Sequence, residues 1–314
     1  MLISSIDNYI RDTAIAAGFS RTRILSPYQP EKLFSAVSAQ DNHWDGSPSL
    51  LVVALPYGNR NPSGPEGGLV SIAPFARRNY YAEAVFRLKE LSKNFRVRFG
   101  GTKSQYRILC NSPVPEKPLA LACGLGWPGR NGLIITPEAG SLVILAAMTL
   151  PFELSGDMPL PGVFPETGFH NDTDPELVSG FSFPACTICG NRPACVAACP
   201  TSALSGAGVL QKDRCIQWYA SGNGESVPGF IAEKWDDRLY GCTNCQDACP
   251  YNKKPVKAVE TDRGRLPDYF SSQWVIQASD EDIKKVVKGT ALGMNWLGPE
   301  ALRRNAFLAL RRTR

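Results

Sequence analysis

Eight of the ten cysteines fall in two short runs and at one position between those runs. The first run reads CTICGNRPACVAACP and the second CTNCQDACP, and each ends in a cysteine followed directly by proline. Closely spaced cysteines that end in this way are typical ligands of iron–sulfur clusters, because thiolate sulfur binds iron strongly. The two runs therefore predict a ferredoxin-like module with two 4Fe–4S clusters.

The two runs are expected to exchange their last cysteines. In two-cluster ferredoxins, the cysteine before proline in one run binds the cluster of the other run. The same exchange here gives one cluster the ligands Cys186, Cys189, Cys195 and Cys249. The other cluster takes Cys199, Cys215, Cys242 and Cys245, so that each cluster has four thiolates. The spacing before Cys195 is longer than usual, and we expect the segment GNRPA to bulge outward.

Zinc is the main alternative, because closely spaced cysteine pairs also build tetrahedral sites with four thiolates. The additional cysteine before proline in each run favours clusters, since a zinc ribbon does not require it. Disulfides are a third interpretation, which the absence of a recognisable secretion signal disfavours. Cys110 and Cys123 lie outside the module, and the simplest role for them is that of buried structural thiols.

The chain is long enough for more than the cysteine module. Its 314 residues, 43% hydrophobic and 20% charged, are ordinary for a globular protein and favour two domains. The net charge of +5 permits a polyanionic partner such as RNA, although a solvated basic surface explains it equally well. No apolar run is long enough for a membrane span, and the sequence predicts a cytoplasmic protein without a membrane partner.

Hydrophobic periodicity predicts an α/β (α+β) fold class for the first half of the chain. Helices are expected at residues 4–17 and 80–95, and strands at residues 50–55, 132–135 and 141–149. The predicted organisation has four parts. These are an α/β domain at 1–150, a linker at 151–184, the two-cluster module at 185–255 and a helical tail at 256–314 that packs back on the first domain. Within the tail, Ser279 begins a pattern typical of an N-capped helix.

The segment from Gly124 to Gly129 matches the G-x-G-x-x-G fingerprint of dinucleotide-binding sites, but its context is reversed. The residues before it are helical in pattern, and those after it resemble a strand. Pro128 would also remove a backbone donor from the loop that must hold pyrophosphate. A structural turn, or a backbone surface laid against another large cofactor, is the better interpretation.

Seven segments in order resemble the cobalamin-dependent epoxyqueuosine reductases, which are relatives of the reductive dehalogenases. The resemblance covers most of the chain, and it is carried by SIAPFARRNYY (71–81), RILCNSPVPEKPLA (107–120), GLGWPGRNGLIITPEAGS (124–141), CPTSAL (199–204), DRCIQW (213–218), GCTNCQDACPYN (241–252) and RRNAFLAL (303–310). The resemblance implies an N-terminal domain that holds base-off cobalamin beside the two clusters. It also implies reduction of epoxyqueuosine in tRNA to queuosine, a low-potential electron donor of the flavodoxin or ferredoxin type, and a monomer.

The family's site residues are carried over position by position. The family aspartate that donates a proton falls on Asn111, which cannot deliver a proton as a carboxylic acid does. Tyr81 stands where the family has a histidine, and Glu116 or Tyr81 is an alternative proton donor. The positions that match cofactor contacts are Arg77, Asn79, Ile134, Leu145, Met148 and Gln217.

The change at Asn111 keeps two other function classes open. The chain could be an electron-transfer protein without a substrate of its own, or an activator that reduces the corrinoid of another enzyme. A related substrate in the same pocket is a further alternative.

Overall fold

The computed structural model describes residues 2–26, 47–59, 67–160, 184–222, 226–260 and 265–311. Most of the predicted linker, at 161–183, lies outside these ranges. The described residues of the first half form a mixed helix and sheet layer, so the predicted fold class is confirmed. Within the described residues, no helix combines the length and the apolar character needed to cross a membrane.

In the part of the chain that the structure describes, nine strands build three small sheets. In chain order they are β1 (Arg21–Leu25), β2 (Ser49–Pro56), β3 (Leu69–Ile72), β4 (Ile108–Leu109), β5 (Trp127–Pro128), β6 (Ile134–Ile135), β7 (Val143–Leu150), β8 (Arg238–Tyr240) and β9 (Tyr269–Ser271). The main sheet has the order β1-β2-β7-β4, and every neighbouring pair in it is antiparallel. A second sheet has the order β8-β3-β9, and β5 pairs with β6.

The α-helices are short except at the two ends of the chain and after β3. Their bounds are Leu2–Ala16, Tyr80–Phe99, Glu116–Ala122, Ala194–Ala197, Ile216–Ala220, Gly229–Ala232, Asn244–Asp247, Ser272–Gln277, Asp280–Val287 and Pro299–Leu310. The predicted helices at 4–17 and 80–95 and the strands at 50–55 and 141–149 are confirmed. Ser279 caps its helix as predicted, because its side chain accepts a hydrogen bond of 3.1 Å from the backbone N–H of Asp282.

The main sheet is covered on both faces, which explains why β2 is a continuous apolar run. Alternate residues of a strand point to opposite faces. Leu50 and Val52 therefore join a core that includes the helix Glu116–Ala122, whereas Leu51 and Val53 join a core with the helix Tyr80–Phe99. A strand buried on both faces must be apolar at every position.

The second sheet takes one strand from each of three parts of the chain that the sequence separates. β3 lies in the first half, β8 in the cysteine module and β9 in the tail, with β3 parallel to β8 and antiparallel to β9. The last helix of the tail, Pro299–Leu310, packs against β8, and residues of the tail share a core with the fully buried Trp235. The first helix or strand described in the tail is thus a strand, and the tail packs on the cysteine module as well as on the first domain.

Candidate metal centre and adjoining pocket

The first predicted set of cysteines surrounds one cavity. Cys186, Cys189, Cys195 and Cys249 all line one pocket. Burial and then the neighbouring Cys249 and Cys186 thiols raise the pKa of the Cys195 thiol to about 11. The cysteine that ends the second run therefore lies beside the first run, as the predicted exchange requires.

The second predicted set is gathered beside the first. Burial raises the pKa of Cys215, and the nearby thiols of Cys242 and Cys199 add to the rise. Burial also raises the pKa of Cys245, followed by the effects of Cys242, Cys215 and Cys195. Because Cys195 belongs to the other set, the two sets are neighbours, which suits electron transfer between two clusters.

The chemistry of the donors fits iron–sulfur clusters. Among the described residues, no three of the Cys, His, Asp and Glu side chains form a group that could hold a single metal ion. The four cysteines of the first set line one pocket, as the ligands of a single cluster must. The sulfur atoms also meet backbone donors, such as the N–H of Ala203, which donates to Cys199 Sγ at 3.2 Å. Hydrogen bonds of this kind stabilise the negative charge on cluster sulfur.

A buried polar network fastens the cysteine module to the first domain. Gln246 Nε2 donates to Tyr57 Oη at 2.6 Å and to the carbonyl oxygen of Ser141 at 2.9 Å. Asn252 accepts from the backbone N–H of Ser141 at 2.8 Å and donates to its hydroxyl at 3.0 Å. A buried amide that loses its hydrogen-bond partners lowers the stability of the folded protein. This network therefore fixes the cysteine module relative to the main sheet.

A substitution at Gly140 can test how closely the cysteine module packs against the first domain. It has a φ of +56°, and a Cβ at this position would overlap the side-chain oxygen of Asn252. We expect Gly140→Ala to lower the free energy of unfolding by about 2–5 kcal/mol, from the unfavourable φ and the overlap. Chemical denaturation measures the loss.

Gly100→Ala is the matched control for this prediction. Gly100 has a φ of +80°, but a Cβ there would meet no atom within 4 Å. Its replacement should cost about 1–3 kcal/mol, because φ +80° with ψ −163° is a backbone conformation that residues other than glycine rarely adopt. Equal losses in the two variants would contradict the tight fit at Asn252.

Met148 lies on a different face of the main sheet from the other residues of the predicted corrinoid wall. Leu145 and Met148 are three residues apart in β7 and therefore point to opposite faces of the sheet. Met148 is 0% exposed in the core beside the helix Tyr80–Phe99, where no cofactor could touch it. Leu145 and the buried Ile134 lie on the other face, together with Cys186 and Cys249. Only that face can present an apolar wall near the clusters.

Three other residues predicted to contact the cofactor also make hydrogen bonds or ion pairs within the protein. Arg77 pairs with Asp268 at 2.6 Å and donates to the carbonyl oxygen of Ile72. The side chain of Asn79 caps the helix Tyr80–Phe99. Gln217 accepts a hydrogen bond of 3.1 Å from the backbone N–H of Cys242. Gln217 therefore positions a predicted cluster ligand.

Asn111 lies in a tight loop at the open end of the sheet. It is exposed, has a φ of +50°, and its backbone N–H donates to the carboxylate of Glu116. Burial raises the pKa of the Glu116 carboxyl, against the effect of backbone donors that include Asn111. Burial and then the neighbouring Cys110 and Glu116 raise the pKa of Tyr81 to about 12. Asn111 and Tyr81 thus both lie close to the carboxyl group of Glu116.

Cys110 belongs to the same group of side chains. Its Sγ lies 3.9 Å from the carbonyl oxygens of both Tyr81 and Leu145. Burial raises its pKa to about 12, with a further rise from Glu116. Cys123 is fully buried and donates to the carbonyl oxygen of Leu119 at 3.1 Å, as a structural thiol does.

Sequence reasoning missed the residues that join the clusters to the sheet. Gln246 and Asn252 lie inside the segment GCTNCQDACPYN, which was considered only for its cysteines and its resemblance. A buried amide has no local pattern that reveals its partners, which here lie more than 100 residues away.

The cysteine module matches a family model described as "4Fe-4S double cluster binding domain" over residues 185–252. The match includes all eight cysteines of the two predicted sets. This region is therefore a double-cluster domain, and zinc and disulfides are excluded as the explanation of the cysteine runs.

Curated relatives resemble the chain well beyond that module. An epoxyqueuosine reductase from Francisella cf. novicida is 26% identical over 278 residues, which cover 84% of this chain and 69% of the relative. One from Vibrio cholerae is 28% identical over 236 residues, covering 74% of this chain but only 56% of the relative. The chain thus spans between roughly half and two thirds of the length of these two proteins.

Solved structures share the fold. The structure of epoxyqueuosine reductase from Streptococcus thermophilus has a TM-score of 0.75 at 20% identity, covering 98% of this chain and 81% of that one. A crystal structure of epoxyqueuosine reductase with an epoxyqueuosine-modified tRNA-Tyr stem loop has the same TM-score, identity and coverage.

Proposed function

We propose that this chain is a member of the epoxyqueuosine reductase family, and that it is an iron–sulfur, cobalamin-dependent reductase that converts epoxyqueuosine in tRNA to queuosine, or reduces a closely related substrate. The observation that carries the proposal is the fixed position of the double-cluster domain against the main sheet through Gln246 and Asn252. Such a fixed position suits an enzyme that delivers electrons to its own pocket. The relatives favour this function over a free electron carrier or a corrinoid-reducing activator.

The part of β7 nearest the clusters suits one face of a corrin ring. Val143, Ile144 and Leu145 are all partly open, whereas the rest of the strand is buried. Leu145, supported by Ile134 from β6, would contact the macrocycle, since apolar side chains of this kind line cofactor sites. When bound, base-off cobalamin would supply strongly reducing cobalt for removal of the epoxide oxygen. The protein contributes binding, orientation and the low-potential clusters.

The eight cysteines are assigned to the clusters as two sets. The first set is Cys186, Cys189, Cys195 and Cys249, and the second is Cys199, Cys215, Cys242 and Cys245. The shared cavity of the first set and the mutual effects of the thiols on their pKa values support this grouping.

Glu116 is the proton donor in this proposal, and Asn111 orients the substrate oxygen through a hydrogen bond. An amide cannot supply a proton, and thiol and phenol groups with pKa values near 12 are weak acids at neutral pH. The half-buried Glu116 carboxyl has a raised pKa and accepts a hydrogen bond from the Asn111 loop. A carboxyl whose pKa is raised above its usual value is a better general acid at neutral pH than an ordinary carboxyl.

The partners follow from the same assignment. The tRNA anticodon region is the macromolecular substrate, in keeping with the stem loop bound by the structural relative. A flavodoxin or ferredoxin supplies electrons to the clusters, and the enzyme works in the cytoplasm as a monomer.

Cobalamin binding is the first test. Protein reconstituted anaerobically with iron and sulfide should bind added cobalamin, and its absorption spectrum should become that of the base-off form. The control is Leu145→Asp, which places a charge on the proposed apolar wall and should weaken binding at least tenfold. Reconstituted protein that contains both clusters but binds no cobalamin would refute the assignment.

The tRNA substrate is tested separately. Deleting the gene should replace queuosine in tRNA by epoxyqueuosine, measured by mass spectrometry of digested tRNA, and a plasmid copy should restore it. Unchanged queuosine in the deletion strain, if cobalamin binds in vitro, would assign the pocket to a different substrate.

A further inference from the structure

The loop at residues 127–131, within the glycine-rich segment that resembles a dinucleotide fingerprint, crosses from the first domain to the clusters. Trp127 begins it in β5, and its side chain packs edge-on against Tyr251, with 5.2 Å between the ring centroids. Tyr251 follows Cys249 by two residues. Arg130 and Asn131, later in the loop, line the cavity surrounded by the first set of cysteines.

The indole nitrogen of Trp127 has no hydrogen-bond partner that accounts for its burial. Trp127 is 8% exposed, and its Nε1 makes no complete hydrogen bond within the residues that the structure describes. A buried donor without a partner is costly and calls for an explanation. The feature therefore indicates a missing acceptor close to the indole.

The sulfur of Cys186 is the acceptor within reach. Trp127 and Cys186 belong to one buried core, and Cys186 Sγ lies 3.8 Å from the carbonyl oxygen of Pro128, the residue after Trp127. The strand that contains Trp127 also contacts the turn Pro184–Cys189, which carries Cys186. A thiolate bound to iron carries negative charge and accepts such a bond better than a thiol does.

We propose that Trp127 Nε1 donates a hydrogen bond to the Cys186 sulfur of the first cluster and thereby sets the reduction potential of that cluster. Trp127 is a positioning and tuning residue in this role and does not touch the substrate. The inference rests only on the double-cluster part of the proposed function. It holds whether or not the substrate is epoxyqueuosine.

The sign of the effect follows from charge. One-electron reduction makes the cluster and its thiolates more negative, so an N–H donor to sulfur stabilises the reduced state more than the oxidised state. Removing the donor should therefore lower the potential. We expect Trp127→Phe to shift the reduction equilibrium of this cluster about three- to tenfold toward the oxidised form, which is about 30–60 mV for a one-electron couple.

An anaerobic redox titration followed by EPR measures this shift in reconstituted holoenzyme. Trp274→Phe is the matched control, because Trp274 also packs edge-on against an aromatic ring, Phe270, at 5.1 Å, and lies in the tail. The proposal predicts a lower potential for one cluster in Trp127→Phe and unchanged potentials in Trp274→Phe. A Trp127→Phe protein with full iron content and both potentials unchanged would overturn it, as would equal shifts in the two variants.

A measurement on the unmodified protein covers the case in which Trp127→Phe does not retain its iron. Holoenzyme with ¹⁵N in its tryptophan indoles should show a nitrogen coupling to a reduced cluster in pulsed EPR. A lack of any such coupling would also overturn the proposal. A protein that forms no clusters at all would instead refute the double-cluster assignment, so the two failures are distinguishable by iron content.

Discussion

Replacing Cys249 with serine should remove the cluster that is otherwise held by the first cysteine run. Cys249 ends the second run in the sequence, but in the structure it shares a cavity with Cys186, Cys189 and Cys195. Iron and sulfide should fall to about half, and turnover should fall at least 100-fold because the path of electrons to the pocket is broken.

The spectrum of the surviving cluster identifies which one was lost. The EPR signal of reduced Cys249→Ser should match that of Cys195→Ser and should differ from that of Cys245→Ser. Cys123→Ser is the control, since this buried thiol lies outside both sets, and its iron content should be unchanged. A Cys249→Ser spectrum that instead matches Cys245→Ser would show that the runs do not exchange their last cysteines.

Replacing Glu116 with glutamine should lower turnover by about 100- to 10 000-fold, the usual contribution of a general acid. Glutamine keeps a carbonyl oxygen that can accept the backbone N–H of Asn111, so the loop should keep its shape. Cobalamin binding and the melting temperature should therefore change little. Single-turnover reduction of a modified stem loop measures the effect on the chemical step.

The pH dependence of the same step separates an acid from a structural role. Burial raises the pKa of Glu116, and the proton donor acts only while it is protonated. The wild-type rate constant should therefore be constant at low pH and fall as the pH rises through the Glu116 pKa. The Glu116→Gln rate constant should be low and should lack this fall.

Two further variants complete the test of Glu116. Glu300→Gln is a matched control, because Glu300 also lies in the first turn of a helix but is far along the chain in the tail, and turnover should be unchanged. Adding Asn111→Asp to Glu116→Gln restores a carboxyl where the family has one, and it should recover part of the activity. A Glu116→Gln rate constant within threefold of the wild type would exclude Glu116 as the donor.

The sequence alone determined the double-cluster module and most long elements of the first half. The spacing of the cysteines and the proline after each run can be recognised in the sequence without knowledge of the fold. Both sets of cluster ligands were therefore predicted from the sequence. The helix Tyr80–Phe99 was predictable from its apolar period, and the strand Ser49–Pro56 from its short, continuous apolar run.

Only the tertiary structure shows which face of each strand is buried and which polar groups form hydrogen bonds between distant segments. Alternation in β7 shows that Leu145 and Met148 oppose each other, but only the packed sheet shows which face is closed. The partners of Gln246, Asn252 and Trp127 come from distant segments, and a polar group carries no local signal of what it will contact. The cysteines were predictable because iron needs thiolates wherever they lie, whereas hydrogen bonds between domains depend on the position of every packed element.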